Sequence, residues 1–570
     1  MSENHSRISS FIWNICDDVL RGLFKEHEYG DIILPFCVFR RLDCVLESSK
    51  DDVHTLWEEY NSKGVDPTPI IINRIKTKFF NRSKYDLKRL IQDPDNINLN
   101  FSHYINGFSE NIYEIIENFE IEKPVKRLQE ENLFFMFVDK LTEIDLHPNI
   151  VDNRQMGLVY EELIRISSEK SNQKSGEHFT PRDIVNLLVS LMFCTEKEKL
   201  KGKGLVRGIF DPCCGTGGML TIGSRWIQEN INPDIQFRLC GQELNPQTYS
   251  ICKSDFLITG YESNDIRKGS SLSKDKFSHD KFEYLITNPP FGDDWKKDKD
   301  EVLKEHNNSN GRFSVGYPRI DDGSLLFLQH MVSKMEPSGS RIGIVFNGSP
   351  LYSGDSGSGE SNIRKWIIEN DLLECIVQLP DQMFFRTDII TYLWILNNKK
   401  TNIRRGKIQL LNCKSFYISM DNSLGKKRKT ITNDQISKIV QLYLDFDENK
   451  YSKIFPNNHF GYTRVTIERP LIENGEIHFK TNGKPKPNSK LRDVERIPLQ
   501  DDIDEYLDKE VTPFLRDSWF DRSKDRIGYE INFTLPFYIP NKQVQSQKIN
   551  QDLKDNMYKT FDLLKSITNR

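Results

Sequence analysis

Between about residue 151 and residue 413, short apolar runs of strand length alternate with segments of helical length, and this alternation constrains the fold more than any other feature of the chain. The apolar runs are 206–210, 237–242, 282–287, 341–346, 373–379, 389–396 and 407–411, and helical pattern fills 221–229 and 324–335 between them. Strand followed by helix followed by strand requires crossover connections. The fold class this predicts is α/β, a doubly wound and mostly parallel sheet. In such a sheet ligands bind beyond the carboxyl ends of the strands, so the turns that follow the strands are where chemistry is expected.

The flanking regions differ. Residues 1–150 carry apolar side chains at helical spacing (Ile8, Phe11, Ile12, Ile15, Val19) and a dense run from Ile32 to Leu46, which predicts an N-terminal helical domain for assembly or DNA contact. Pro35 is expected in the first turn of the second helix, where its missing N–H costs little. The sheet domain is expected over 151–415 and a further part of the same region over 416–540. Residues 541–570, with Val544, Ile549, Leu553, Met557 and Phe561, are expected to form an amphipathic helix that contacts a subunit. The basic run Lys426 to Lys429 predicts a solvated loop, and 481–489 (TNGKPKPNS) a polar linker. A chain of 570 residues holds two to four domains at this density.

Composition narrows the class. With 37% apolar and 28% charged residues the chain can bury an ordinary core, which excludes a disordered or collagenous polymer. No apolar run reaches the roughly 18–20 residues a membrane span needs, and the N-terminus has no uninterrupted apolar segment of the signal-peptide kind. Ten cysteines are scattered without CxxC spacing, so neither a metal site nor a disulfide framework is expected, and a reduced cytoplasmic setting is. Net charge is −4, which argues against non-specific coating of nucleic acid and leaves room for a local basic groove.

Three strand ends carry the chemistry. Asp211-Pro212-Cys213-Cys214-Gly215-Thr216-Gly217-Gly218 follows the first strand and precedes a helix, so backbone N–H groups can approach a ligand at a helix N-terminus. Such a turn alone also fits NAD, FAD or ATP, but neither GxGxxG order nor a Walker lysine is present. Glu243, at the end of the second strand, has the position from which a carboxylate binds a ribose diol. The strand 282–287 runs into Asn288-Pro289-Pro290-Phe291. Two prolines stiffen that turn, and the Asn288 amide oxygen and Pro289 carbonyl form two acceptors suited to a planar NH2 group. Phe291 offers a flat face for a base.

DPCCGTGG, GQELNP and NPPF in this order resemble the motifs of amino-methylating DNA methyltransferases, and the chain is similar more closely to the methylase subunits of type I restriction-modification systems. The similarity continues through Gly176 to Arg182, Leu325 to His330, Asn362 to Lys365, Leu379-Pro380 with Phe384-Phe385, and Ile527 to Ile531. It implies a SAM-dependent methyltransferase fold and methyl transfer from S-adenosylmethionine to N6 of a flipped adenine in duplex DNA. It also implies a separate specificity subunit that reads the target, a second methylase subunit and an ATP-dependent restriction subunit. Carried onto this sequence, it places Glu177, His178, Phe179, Thr180, Pro181, Arg182, Asp211, Gly215, Thr216, Gly217, Gly218 and Glu243 around the cofactor, and Asn288, Pro289, Pro290 and Phe291 at the reacting base. Ser270 stands where the family often has an acidic residue, with Asp265 as the nearby substitute. The alternatives are a non-catalytic assembly subunit, or a methyltransferase acting on protein glutamine or RNA.

Overall fold

The computed structural model describes residues 3–170, 180–473 and 476–538. Two compact units are present, 1–531 and 532–570, and the expected C-terminal helix over 541–570 lies outside the described residues.

The first unit begins with helices packed around one core. Its central helix, Tyr29–Leu46, is apolar on nearly every side and buried on nearly every side, as such a pattern requires. Pro35 lies in the second turn instead of the first, because the helix starts at Tyr29, three residues before the apolar run. Two arginines are buried in this helix. Arg40 donates to the Ile144 carbonyl (2.8 Å), and Arg41 to the carbonyls of Leu146 and Val151 (both 2.8 Å). This core does not stop at residue 150: the helix Asn153–Lys170 contributes Met156, Val159 and Tyr160 to it.

The second core surrounds a nine-stranded sheet. Its strands are β1 (Val206–Asp211), β2 (Gln236–Glu243), β3 (Ile266–Lys268), β4 (Tyr284–Thr287), β5 (Arg341–Phe346), β6 (Leu373–Gln378), β7 (Tyr392–Asn397) and β8 (Lys407–Asn412). A hairpin of β9 (Ile418–Leu424) and β10 (Lys427–Thr430) stands apart, and β11 (Ser452–Pro456) returns to the sheet edge. The order is β11-β8-β6-β7-β5-β4-β1-β2-β3. Only β7 and β11 run against the rest. The sheet therefore runs past residue 415, where the sequence placed its boundary.

Alternation along β1 shows why both faces are covered. Ile209 belongs to the core formed with the helices Arg182–Phe193 and Gly218–Asn230, whereas Phe210 stacks on Phe282 (4.7 Å between centroids) and meets the edge of His330 in the helix Ser324–Ser333. The chain builds outward from β1 to β2 and β3 on one side and from β4 to β5 on the other. Order reverses between β1 and β4, and that is the switch point at which a ligand crevice opens.

Beyond the sheet, β12 (Gly461–Glu468) pairs antiparallel with Asp493–Pro498, Trp519–Phe520 and Arg526–Tyr529 over a small core of Val465, Ile467, Ile497, Leu507 and Val511. Residues 481–489 are not a free linker, since Lys486 exchanges backbone hydrogen bonds with Leu471 and His478. Two distant motifs meet here: buried Arg364 donates to the Tyr529 carbonyl at 2.6 Å, and the Tyr529 N–H donates to Ser361 Oγ at 3.0 Å. No helix among the described residues is long and apolar enough to cross a membrane.

Candidate active site

The turns after β1, β2 and β4 face one cleft of about 560 Å³, a size suited to a nucleoside-bearing ligand. Cys213 and Gly215 line it from the first turn, Glu243 and Asn245 from the second, and Asn288 and Pro290 from the fourth. Gly269 to Leu272 after β3, and Asp293 to Trp295 with Asp298, close its sides.

Asp211 is 1% exposed and turned into the sheet. One of its oxygens accepts the Cys213 N–H (3.0 Å) and the Thr287 hydroxyl (2.6 Å), so this carboxyl ties the Gly turn to the end of β4. Burial pushes it up to about 7. The Cys213 thiol lies 2.9 Å from the same hydroxyl. Gly215 and Gly217 both have left-handed backbone, at φ of +53° and +81°. At Gly217 a Cβ would also meet Cys252 Sγ at 2.7 Å. Gly215 faces the cleft, while Thr216, Gly217 and Gly218 lead from it into the helix Gly218–Asn230.

Glu243 sits at the lip between the first two turns. Its Oε2 accepts the Gly215 N–H (2.8 Å) and its Oε1 the Asn245 N–H (2.7 Å). These bonds fix the carboxylate at the lip of the cleft. Burial raises its carboxyl above the usual range, and hydrogen bonds from the backbone of Asn245, Gly215 and Leu244 and from the Thr248 side chain oppose that rise. Asn245 in turn caps the helix Pro246–Thr259, accepting from the N–H groups of Gln247 and Thr248. That helix is clamped by the N-terminal domain: Glu114 accepts from the Tyr249 hydroxyl (2.7 Å) and pairs with Lys253 (2.5 Å).

Two residues that the sequence did not single out hold the remaining wall. Gln242, fully buried beside Glu243, donates to the carbonyls of Gly269 (3.1 Å) and Lys274 (2.9 Å) and accepts from the Lys276 N–H (3.1 Å). Arg312 donates to the carbonyls of Ser271 and Leu272 (both 2.7 Å) and is itself held by Glu305 and His330. Gln242 is the middle residue of the GQE motif and was within reach of a sequence reading; Arg312 has no local signal. Ser270 lines the cleft, its hydroxyl accepting the Leu272 N–H (3.2 Å). Asp265 does not replace the family's acidic residue, because Arg238 holds it at 2.9 Å and it is not part of the lining. Asp298, which accepts from the Ser273 hydroxyl, is a carboxylate that does reach this end of the cleft.

In the fourth turn, Asn288 and Pro290 face the cleft and Pro289 is buried. Phe291 is only 9% exposed and packs against Phe384, with centroids 6.0 Å apart and planes at 74°. Upstream, Glu177, His178 and Phe179 lie outside the described residues. Thr180, Pro181 and Arg182 are not part of the lining. Arg182 reaches toward Gly157, where a Cβ would meet its guanidinium at 2.6 Å.

Residues 151–460 match the model of the N-6 DNA Methylase family. The chain belongs to that family. Residues 8–141 match the HsdM N-terminal domain. The chain is 24% identical over 499 residues to the type I restriction enzyme MjaIX methylase subunit of Methanocaldococcus jannaschii, covering 82% of each. It is 31% identical over 290 residues to the HindI methylase subunit of Haemophilus influenzae, covering 50% of this chain and 59% of that one. The solved type I methyltransferase subunit from Streptococcus thermophilus shares the fold, with a TM-score of 0.62 at 19% identity over 80% of this chain and 97% of that one. As a type I methylase subunit, this N-6 DNA methylase is an adenine-specific DNA methyltransferase with S-adenosylmethionine as methyl donor.

The cleft of this methylase fits that donor. A glycine turn with left-handed backbone at Gly215, a carboxylate with two oxygens at Glu243 and a helix N-terminus beside them match an amino-acid-bearing nucleoside.

Proposed function

We infer that Asn288 and Pro289 hold the amino group of an adenine turned out of the duplex, and that the Gly215 turn and Glu243 hold S-adenosylmethionine beside it. The observation that carries this reading is that Asn288 and Pro290 share one cleft with Gly215 and Glu243. S-adenosylmethionine supplies, when bound, a methyl group on a sulfonium. The chain supplies position and electrostatics. The Asn288 amide oxygen and the Pro289 carbonyl accept the two amino hydrogens, which leaves the nitrogen lone pair available and aims it. The two prolines keep these acceptors from turning away. Phe291, braced by Phe384, supports the turn. Turning the base out costs a few kcal/mol, roughly, which binding elsewhere must offset.

In the complex we assign this chain the modification role, with a separate specificity subunit reading the target, a second methylase subunit completing the enzyme and an ATP-dependent restriction subunit joining for cleavage, all in the cytoplasm. The near-neutral net charge of −4 supports base reading by a separate subunit.

The test is Asn288→Ala in the complex. Methyl transfer should fall by at least about a hundredfold while S-adenosylmethionine affinity, read by calorimetry, stays within about threefold. Glu243→Ala should do the reverse and lose cofactor binding first. Retained transfer in Asn288→Ala would overturn the assignment.

A further inference from the structure

We propose that the loop between β6 and β7, together with the β9–β10 hairpin, is the DNA-contacting rim of the catalytic cleft. Lys414, Lys426 and Arg428 take duplex phosphates, and Ile389 and Ile390 fill the space that the flipped adenine leaves in the stack. The proposal rests on the reading of the Asn288 turn as the base site.

Topology puts these parts together. The loop leaves the carboxyl end of β6 and enters the amino end of β7, which is antiparallel, so both of its ends lie at the sheet edge where β1, β2 and β4 end. A hydrogen bond from the Leu379 N–H to the Thr391 carbonyl closes its base at 2.9 Å. The loop then touches the catalytic turn through Phe384, whose ring meets Phe291. It also brings Arg386 near Asp293 of the cleft wall, where the arginine opposes the rise that burial imposes on that carboxyl.

The hairpin is built onto this loop. The Lys426 N–H donates to the Phe385 carbonyl (2.7 Å) and the Arg428 N–H to the Gln382 carbonyl (3.0 Å). Its basic run is divided by direction. Lys427 is 4% exposed and pairs with Asp183 at 3.0 Å, and Lys429 pairs with Asp381 over the Tyr417 ring. Lys426 and Arg428, with Lys414 just past β8, remain exposed. The Asp388 carboxylate lies 3.6 Å from Lys426 in an exposed pair of the kind that contributes little. Next to these cations, Ile389 and Ile390 are 41% and 42% exposed. Exposed cations flanking an exposed branched apolar pair, at the mouth where a base must leave its stack, match a phosphate-holding rim with an intercalating wedge.

The experiment uses the methylase co-purified with its specificity subunit and a target duplex mapped from methylated DNA. Changing Lys414, Lys426 and Arg428 together to alanine should make the slope of log K against log salt shallower by about 2.7, at about 0.9 per phosphate. S-adenosylmethionine affinity and co-purification should not change. Ile389→Ser with Ile390→Ser should slow methylation of the paired target about tenfold and recover on a target whose adenine faces an abasic site. An unchanged salt slope would overturn the proposal, as would an equal loss on both duplexes. Loss of the specificity subunit would also overturn it and make this face a protein interface. Failure of the Asn288 reading is separable, since Asn288→Ala would then keep methyl transfer while the salt slope stands unaffected.

Discussion

Gly217→Ala should destabilise the methylase more than Gly215→Ala, and the two positions isolate two different costs. Both have left-handed backbone, at φ +53° for Gly215 and +81° for Gly217, so each alanine pays about 1–2 kcal/mol for that conformation. Gly215 has nothing within 4 Å of a new Cβ, and its cost stops there. At Gly217 the same atom meets Cys252 Sγ at 2.7 Å and the Phe256 ring at 3.0 Å, and overpacking of that kind adds about 1–3 kcal/mol. The expected totals are about 1–2 and about 2–5 kcal/mol. Urea unfolding of the two variants reads the difference directly. In a Cys252→Ala background the Gly217→Ala change should become cheaper by about 1 kcal/mol or more, while Gly215→Ala should cost the same as before. Equal costs for the two glycines, or no coupling to Cys252, would refute the packing argument.

Other parts of the structure give further expectations. Asp211 has its carboxyl raised from 3.8 to about 7, so the folded chain holds that proton longer than the unfolded chain, and stability falls as pH rises from about 4 to 7. Asn keeps the acceptor oxygen and removes the charge, so Asp211→Asn should be more stable than the parent at pH 8, by up to about 4 kcal/mol, and little different at pH 4, as read by urea midpoints. Asp183 holds buried Lys427 at 3.0 Å and accepts from the Thr430 hydroxyl (2.9 Å) and the Ile431 N–H (3.0 Å). Asp183→Asn should cost about 3–5 kcal/mol and open the β9–β10 hairpin to limited proteolysis, with Lys427→Met recovering part of the loss. Arg312→Lys breaks the fork that holds Ser271 and Leu272, and S-adenosylmethionine binding should weaken about tenfold by calorimetry.

Much of the sheet was legible because its strands are continuous apolar runs between turns. Arg341–Phe346 lies where the pattern put it, and 206–210 and 407–411 are one residue short at their carboxyl ends. The run 389–396 misled by three residues: Ile389 and Ile390 continue the apolar pattern yet stay exposed in a loop, and β7 begins at Tyr392. β3 is three residues long and has no pattern to read. The strand-end rule located the candidate cleft, since Gly215, Glu243, Asn288 and Pro290 all line it. The rule does not say which motif residue faces the ligand and which faces the sheet. Asp211 turns inward to Thr287, Phe291 turns to Phe384, and Arg182 turns to the N-terminal core, each through a partner far away in sequence. The same limit explains Lys427, which reads as a solvated charge until Asp183, 244 residues away, is placed beside it.

The most direct measurement of the central claim uses a host whose DNA lacks N6-methyladenine. The methylase is expressed there with its flanking partner genes, and in parallel as Asn288→Ala, and the nucleosides of digested DNA are quantified by mass spectrometry. N6-methyladenine is expected with the parent chain and none with Asn288→Ala. Equal N6-methyladenine from both, or none from a folded parent complex, would contradict the claim.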